Sequence, residues 1–175
     1  MRFRAVARVA AALALLASAG RAQTTTVIVV RHAEKNAEPA ADPELSTSGA
    51  ARAQALADMV RSAHVQAVIS TQFQRTRQTA APTAGALGLS TEIVDARAPQ
   101  HARLVADSIL TRHRGQTVLV VGHSNTVPDI VAALGAPRPA DICDAGYDNM
   151  FVVTVPASGP ASVTQLHYGA KASCP

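Results

Sequence analysis

Two short runs of branched apolar residues, each leading into a histidine, constrain this chain more than any other feature. Val27-Ile28-Val29-Val30 runs directly into Arg31-His32. Val118-Leu119-Val120-Val121 runs through Gly122 into His123. Apolar runs without polar alternation suit strands buried on both faces. Strands of that kind belong to a mostly parallel sheet with helices on both sides, and ligands bind beyond the carboxyl ends of such strands. Both histidines therefore fall where a site is expected.

The remaining sequence fits this architecture. Thr24–Val30 reads as the first strand, and Asn36–Leu45, with Pro39 and Pro43, as a loop. Ser46-Thr47 offers an N-cap to a helix over Gly49–Ala63, whose Ala53, Leu56, Ala57 and Val60 fall at helical spacing. Val65–Ile69 is a second strand and Gln74–Leu87 a second helix, capped by Gly88, with a kink or break expected at Pro82. Thr91–Val94 is a brief strand. Pro99–His113 follows as a helix with Leu104, Val105, Ile109 and Leu110 as its buried stripe. Thr117–Val121 is the fourth strand, and Val127–Leu134 the fourth helix, with Pro128 in its first turn. Met150–Val155 and Ser162–Leu166 are strands joined by a short turn, so they run antiparallel to each other. The expected fold class is α/β: three αβα layers around a mostly parallel sheet, with an antiparallel strand near the C-terminus.

The 175 residues argue for one domain, and an apolar content of 48 % is enough for a core. The formal charge of +4 suggests a basic protein, but Arg2, Arg4, Arg8 and Arg21 account for it, and no acid lies among the first 22 residues. Beyond them cations and anions balance, which gives no support to a nucleic-acid or anionic-membrane surface. Aromatic content of 3 % also supplies few stacking platforms for single strands.

Residues 1–22 read as a secretory signal. A basic n-region precedes the short apolar run Val9–Ala19, and small residues at Gly20 and Ala22 mark a cut after Ala22. The run is shorter than the roughly 20 residues of a spanning helix, so no stable membrane insertion is expected after cleavage. This leaves residues 23–175 as the mature domain, periplasmic or secreted. In an oxidising compartment Cys143 and Cys174 favour a disulfide pinning the C-terminal tail to the loop after the fourth helix. Two unrelated thiols or a metal pair are the alternatives, though two Cys without clustered His make a poor zinc site.

The chemistry concentrates at strand exits. Arg31 supplies a planar fork of donors suited to phosphate, beside the imidazole of His32. Ser70–Thr79 joins the second strand to the second helix and places Arg75 in a first turn, where a helix attracts anions. Arg77 lies two positions on, so only one of the two arginines faces a common pocket. Gly122 permits close backbone approach at His123, and Ser124–Thr126 cap the next helix. If the strands are parallel, His32, Arg75 and His123 share one sheet edge.

The stretch Val29-Val30-Arg31-His32-Ala33-Glu34 resembles the signature of the histidine phosphatase superfamily, the phosphoglycerate mutase-like family, in its smaller branch. Thr71–Thr79 and Val120-Val121-Gly122-His123 match its other two motifs in order, and Leu45–Ala53 resembles the helix start after the first. The resemblance runs from Val27 to Gly169. It implies a phosphoenzyme mechanism without a cofactor or metal: His32 attacks phosphorus, Arg31 and Arg75 bind the phosphoryl oxygens, and His123 adds a further donor. Neutral His32 and cationic His123 would suit those roles. The sequence departs from the common pattern at Ala33, where glycine is usual, and in lacking an obvious proton donor. Asp95, at the end of the third strand, is the candidate by position, with Glu34 an alternative. Asp148 and Asn149 would rim the pocket if the following strand is antiparallel, whereas Tyr147 reads as part of a turn.

The expected function is an exported phosphatase acting on small phosphomonoesters through a phosphohistidine on His32. A non-catalytic phosphate-ligand binder of the same fold and a phosphosugar mutase are the alternatives. The physiological substrate and the oligomeric state are not legible in the sequence.

Overall fold

A computed structural model describes residues 23–174. The segment read as a secretory signal lies outside the described residues. The described residues form a single six-stranded sheet: β1 (Thr25–Arg31), β2 (Val65–Ser70), β3 (Thr91–Ile93), β4 (Thr117–Gly122), β5 (Asn149–Val155) and β6 (Ser162–His167), in the order β3-β2-β4-β1-β5-β6. β3, β2, β4 and β1 pair in parallel. β5 runs antiparallel to both β1 and β6, so the C-terminal hairpin closes one side of an otherwise parallel sheet. Among the described residues no helix is long and apolar enough to cross a membrane.

The branched apolar strands have the two-sided burial their sequences implied. Successive side chains of a strand face opposite ways. Val27 and Val29 of β1, with Val118 and Val120 of β4, join Val105, Ile109, Val127, Ile130 and Phe151 in one core. Ile28, Val30, Leu119 and Val121 join Leu56, Val60, Ala80 and Met150 in the other. Helices α3 (His101–Arg112) and α4 (Val127–Ala133) thus cover one face, and α1 (Thr47–Val60) and α2 (Gln74–Leu87) the opposite one. Leu56, Ile69, Ile109 and Leu119 are each less than 2 % exposed. Removing one such side chain to alanine costs about 2–5 kcal/mol.

Local signals set the helix ends. Ser46 caps α1 by accepting the Gly49 N–H at 3.1 Å. Gly88 ends α2 in the left-handed region at φ 64°, open to glycine without a Cβ penalty. Two expectations need correction. Pro82 does not break α2, which is continuous over Gln74–Leu87; Thr79, Ala80, Thr83 and Ala84 are buried around it, and that packing outweighs the lost backbone bond. Leu104 is 47 % exposed, not part of the buried stripe of α3; that stripe is His101, Val105, Ala106, Ser108 and Ile109. The rotation turns a histidine, not a leucine, toward the sheet.

Cys143 and Cys174 form a disulfide, with Cα atoms 6.2 Å apart. It fastens the C-terminal tail to the segment between α4 and β5, as the sequence suggested.

Candidate active site

β1 lies at the centre of the carboxyl edge, paired with β4 on one side and β5 on the other. The β1–β4 register sets Arg31 opposite Gly122. The His32 N–H then donates to the Gly122 carbonyl at 2.9 Å, extending the ladder by one residue. A Cβ on Gly122 would sit 3.0 Å from Thr126 Oγ1 and 3.3 Å from Val127, so what crowds this position is the side chains at the start of α4, not the backbone expected from the sequence. His32 and His123 consequently face each other, with ring centroids 5.4 Å apart. Each is more than nine-tenths buried.

His32 Nδ1 lies 2.8 Å from the Ala33 carbonyl. A carbonyl can only accept, so Nδ1 carries the proton and Nε2 is left with a free lone pair. Ala33 itself is anchored: its N–H donates to Thr79 Oγ1 at 2.9 Å, and that hydroxyl donates to the Arg75 carbonyl at 2.7 Å. The loop after β1 is therefore tied to the first turns of α2. Burial lowers the His32 pKa to about 3, and the neighbouring His123, Arg31 and Arg75 push in the same direction against the Ala33 hydrogen bond.

His123 Nε2 sits 3.1 Å from Thr71 Oγ1, which is 2.7 Å from Thr76 Oγ1. Thr76 spends its proton on the Phe73 carbonyl at 2.8 Å. Thr71 then donates to Thr76 and accepts from His123 Nε2–H, which fixes the ring's tautomer. Burial, with Arg75, His101 and Arg31, lowers the His123 pKa to about 4. The expected opposition of a neutral and a cationic histidine is thus absent. Both rings are held neutral by the same causes, burial and adjacent cations.

The two arginines are fixed differently. Arg31 Nη1 donates to the carbonyls of Cys143 at 3.0 Å and Asp144 at 2.9 Å, and its guanidinium lies 4.1 Å from the Tyr147 ring centroid. Arg75 stacks 4.3 Å over Phe73 and approaches the Asp42 carboxylate at 3.8 Å. In each, Nε is buried without a partner. Those unpartnered donors have lost water and gained no acceptor, an arrangement that favours a ligand oxygen. Arg77 is exposed, so the pocket takes only one cation from α2. Asp42 also accepts the Gln74 N–H at 2.9 Å, capping α2 from the loop after β1.

Of these groups, His32, Phe73, Arg75 and His123 line an open pocket of about 310 Å³ together with Ala96, Ser124, Asn125 and Thr126; Arg31, the residue before His32, is not part of that wall. None of the lining residues is a carboxylate. Asp95 is exposed, one residue off the wall; its Oδ1 accepts from Gln72 Nε2 at 2.6 Å and the Arg97 N–H at 2.9 Å. Glu34 is engaged elsewhere. Its carboxylate takes three contacts of 2.8–3.0 Å from Arg52, which also donates to the carbonyls of Tyr168 and Ala170. Burial alone would raise its pKa, but Arg52 holds it below the usual carboxylate value.

The residues before β5 reverse the sequence reading. β5 is antiparallel and does start at this edge, yet Asp148 and Asn149 border a different cavity with His167, Tyr168, Lys171 and Cys174. Asp148 pairs with His167 at 3.2 Å and accepts the Ala172 N–H at 3.1 Å. Tyr147, read as a turn residue, packs instead on Arg31 and stands 6.0 Å from the His32 ring. Neighbours in extended chain face opposite ways, so one position decides which side chain reaches the site. Phe73, Thr79 and Asp42 were also missed. Thr79 lies inside the motif already singled out; Asp42 sits in a loop whose docking on α2 carries no local signal.

Two neutral imidazoles and the Arg75 guanidinium on a small open pocket, with Arg31 next to His32, are an arrangement that can hold a tetrahedral oxyanion. The family model for the histidine phosphatase superfamily (branch 1) matches residues 27–98. That match covers the first strand through the third, and the later His123 motif and the fold are similar to that superfamily as well. No curated protein matches the sequence. Among solved structures, that of the protein histidine phosphatase SixA complexed with tungstate is 23 % identical with a TM-score of 0.67, covering 81 % of this chain and 96 % of its own. A putative phosphohistidine phosphatase SixA from Nakamurella multipartitia is 23 % identical with a TM-score of 0.63, covering 86 % and 99 %. A mycobacterial glucosyl-3-phosphoglycerate phosphatase is 15 % identical with a TM-score of 0.60, covering 85 % and 100 %.

Proposed function

We propose that this protein is an exported phosphatase that hydrolyses small phosphorylated substrates through a phosphohistidine on His32. The observation that carries the reading is the His32 ring. Its Nδ1 proton is committed to the Ala33 carbonyl, and burial keeps it unprotonated at Nε2. Nε2 attacks phosphorus, the bond to the leaving group breaks, and the leaving group departs with that electron pair. Arg31 and Arg75 hold the equatorial oxygens, and the developing charge draws a proton onto His123, which then donates to the phosphoryl group. Water attacks the phosphohistidine, releasing phosphate and restoring neutral His32. The reading of residues 1–22 as a cleaved signal supports export; the N-terminus of the protein recovered from a secreting host tests it.

The carboxylate-free lining orders the substrates. An alkoxide leaving group needs a proton, and a general acid is worth about 10²–10⁴-fold. Aryl phosphates leave as phenolates without one, and phosphohistidine leaves as neutral imidazole once its distal ring nitrogen carries a proton from solvent, with no protein acid required. They are therefore the favoured class, and the names of the SixA neighbours agree with that. Asp95 remains the nearest carboxylate by sequence, but its hydrogen bonds to Gln72 and Arg97 occupy it.

The experiment is incubation with a labelled aryl phosphate, with and without chelator. Acid-labile label on His32, turnover unaffected by chelator, and no turnover in His32→Ala are expected. Oxyanion binding without label or turnover would overturn the reading in favour of a non-catalytic binder. Asp95→Asn is expected to hydrolyse aryl phosphate within a few-fold of wild type.

A further inference from the structure

We propose that the Cys143–Cys174 disulfide is a positioning element for Arg31, fixing its guanidinium beside the His32 ring. The proposal rests on the reading of Arg31 as a phosphoryl ligand. The contact is direct: Arg31 Nη1 donates to the carbonyl of Cys143 itself, and to that of Asp144. These two carbonyls belong to the segment between Ala133 and Asn149, which contains no helix or strand. Two short local bonds shape it there, Gly146 N–H to the Cys143 carbonyl at 2.8 Å and Tyr147 N–H to the Ala145 carbonyl at 3.0 Å. Apart from this turn, the segment around the two carbonyls is held by partly buried Ile142 packing on the core and by Asp148 bonding the tail.

The disulfide supplies the covalent anchor. Cys174 belongs to the tail that follows β6, and that tail is itself held to helix α1 and to the residue before β5. Arg52 bonds the Tyr168 and Ala170 carbonyls, and Asp148 accepts the Ala172 N–H. The turn is packed directly on the bridge: a Cβ on Gly146 would lie 3.1 Å from Cys174 Sγ and 3.0 Å from the Cys143 oxygen. Tyr147, one residue on, stacks on the same guanidinium. Arg31 is thus clamped between two carbonyls and an aromatic face, all from one segment that is covalently tied beside Cys143. Its Nε stays buried and unpartnered, poised for a ligand oxygen.

A double-mutant cycle on tungstate binding tests this. The dissociation constant is measured by calorimetry for wild type, Cys143→Ala/Cys174→Ala, Arg31→Ala and the combined variant, with thermal melts confirming that each is folded at the assay temperature. Loss of the disulfide is expected to weaken tungstate by about tenfold or more, the worth of one charge-assisted hydrogen bond. In the Arg31→Ala background the same change is expected to alter binding by less than about twofold. Equal weakening in both backgrounds would show a general structural role and overturn the proposal. So would a disulfide-free protein that binds tungstate as wild type does. Aryl phosphate turnover, followed in parallel, separates the two readings. Wild-type protein that binds tungstate but hydrolyses nothing sinks the phosphatase and leaves the binding cycle to decide the role of the disulfide.

Discussion

Acid should destabilise this protein earlier than carboxylate titration alone would, because of the two site histidines. Their pKa values stand at about 3 for His32 and about 4 for His123, against 6.5 unperturbed. His32 is faced by His123, Arg31, Arg75 and Tyr147; His123 is faced by His32, Arg75, His101, Arg31 and Phe73. The folded-state values are depressed, so below pH 6.5 the unfolded chain takes up protons that the folded pocket refuses. The stabilisation is complete above that pH and is lost as pH falls toward the folded values. Integrated from pH 8 to pH 5, each ring accounts for about 2 kcal/mol, a large share of the ~5–15 kcal/mol of a typical domain. Urea unfolding in oxyanion-free buffer at both pH values measures it. His32→Gln and His123→Gln should each shrink the difference between the two conditions by about 2 kcal/mol. If either variant keeps the wild-type difference to within about 0.5 kcal/mol, burial is not what holds that ring neutral. The same depression keeps the nucleophile unprotonated, so kcat/KM should not fall between pH 7 and pH 5 through protonation of His32.

Other consequences follow from single contacts. Arg52→Met strands the Glu34 carboxylate and two carbonyls; calorimetry should show a loss of about 3–5 kcal/mol, lowering Tm by roughly 10 °C. Thr79→Val leaves the buried Ala33 N–H without its acceptor, at about 1–3 kcal/mol by urea unfolding, with a larger proportional fall in kcat because Ala33 also orients His32. Arg75→Ala should weaken tungstate binding by about tenfold or more, whereas exposed Arg77→Ala should leave tungstate affinity and turnover unchanged.

Most of the fold was legible because it rests on two-sided burial. Runs such as Val27–Val30 and Val118–Val121 have few places to go but the centre of a sheet, and turn signals such as Gly88 stopped the helices close to where they end. His32, Arg31, Arg75 and His123 come to one edge for a related reason: Arg31 ends β1, the others follow strand ends, and parallel strands deliver their ends to one edge. What escaped depends on one-residue phase or on distant pairing. Tyr147 and Asp148 differ by a single step along extended chain, and only the register of β5 shows which meets Arg31. Leu104 looked like core because it is a leucine at helical spacing; the rotation of α3 is set by what packs on it, which the helix's own sequence does not state. Glu34 looked close to His32, but Arg52 from α1 claims it.

The position of β1 also divides labour within the molecule. Its main chain is hydrogen-bonded on both sides, six pairs to β4 and six to β5, so the backbone carrying Arg31 and His32 is among the last that local opening could reach. Whatever adapts to a new leaving group must do so elsewhere. The irregular segments after β1 and after α4 contact the same cations from outside, through Asp42 on Arg75 and through the Cys143 and Asp144 carbonyls on Arg31. The side chains free to change around the pocket are Ala96, Ser124 and Asn125, which line it beside His32, while the strand that carries His32 stays as it is. An engineer seeking altered selectivity would vary Ala96, Ser124 and Asn125 and leave 27–32 untouched.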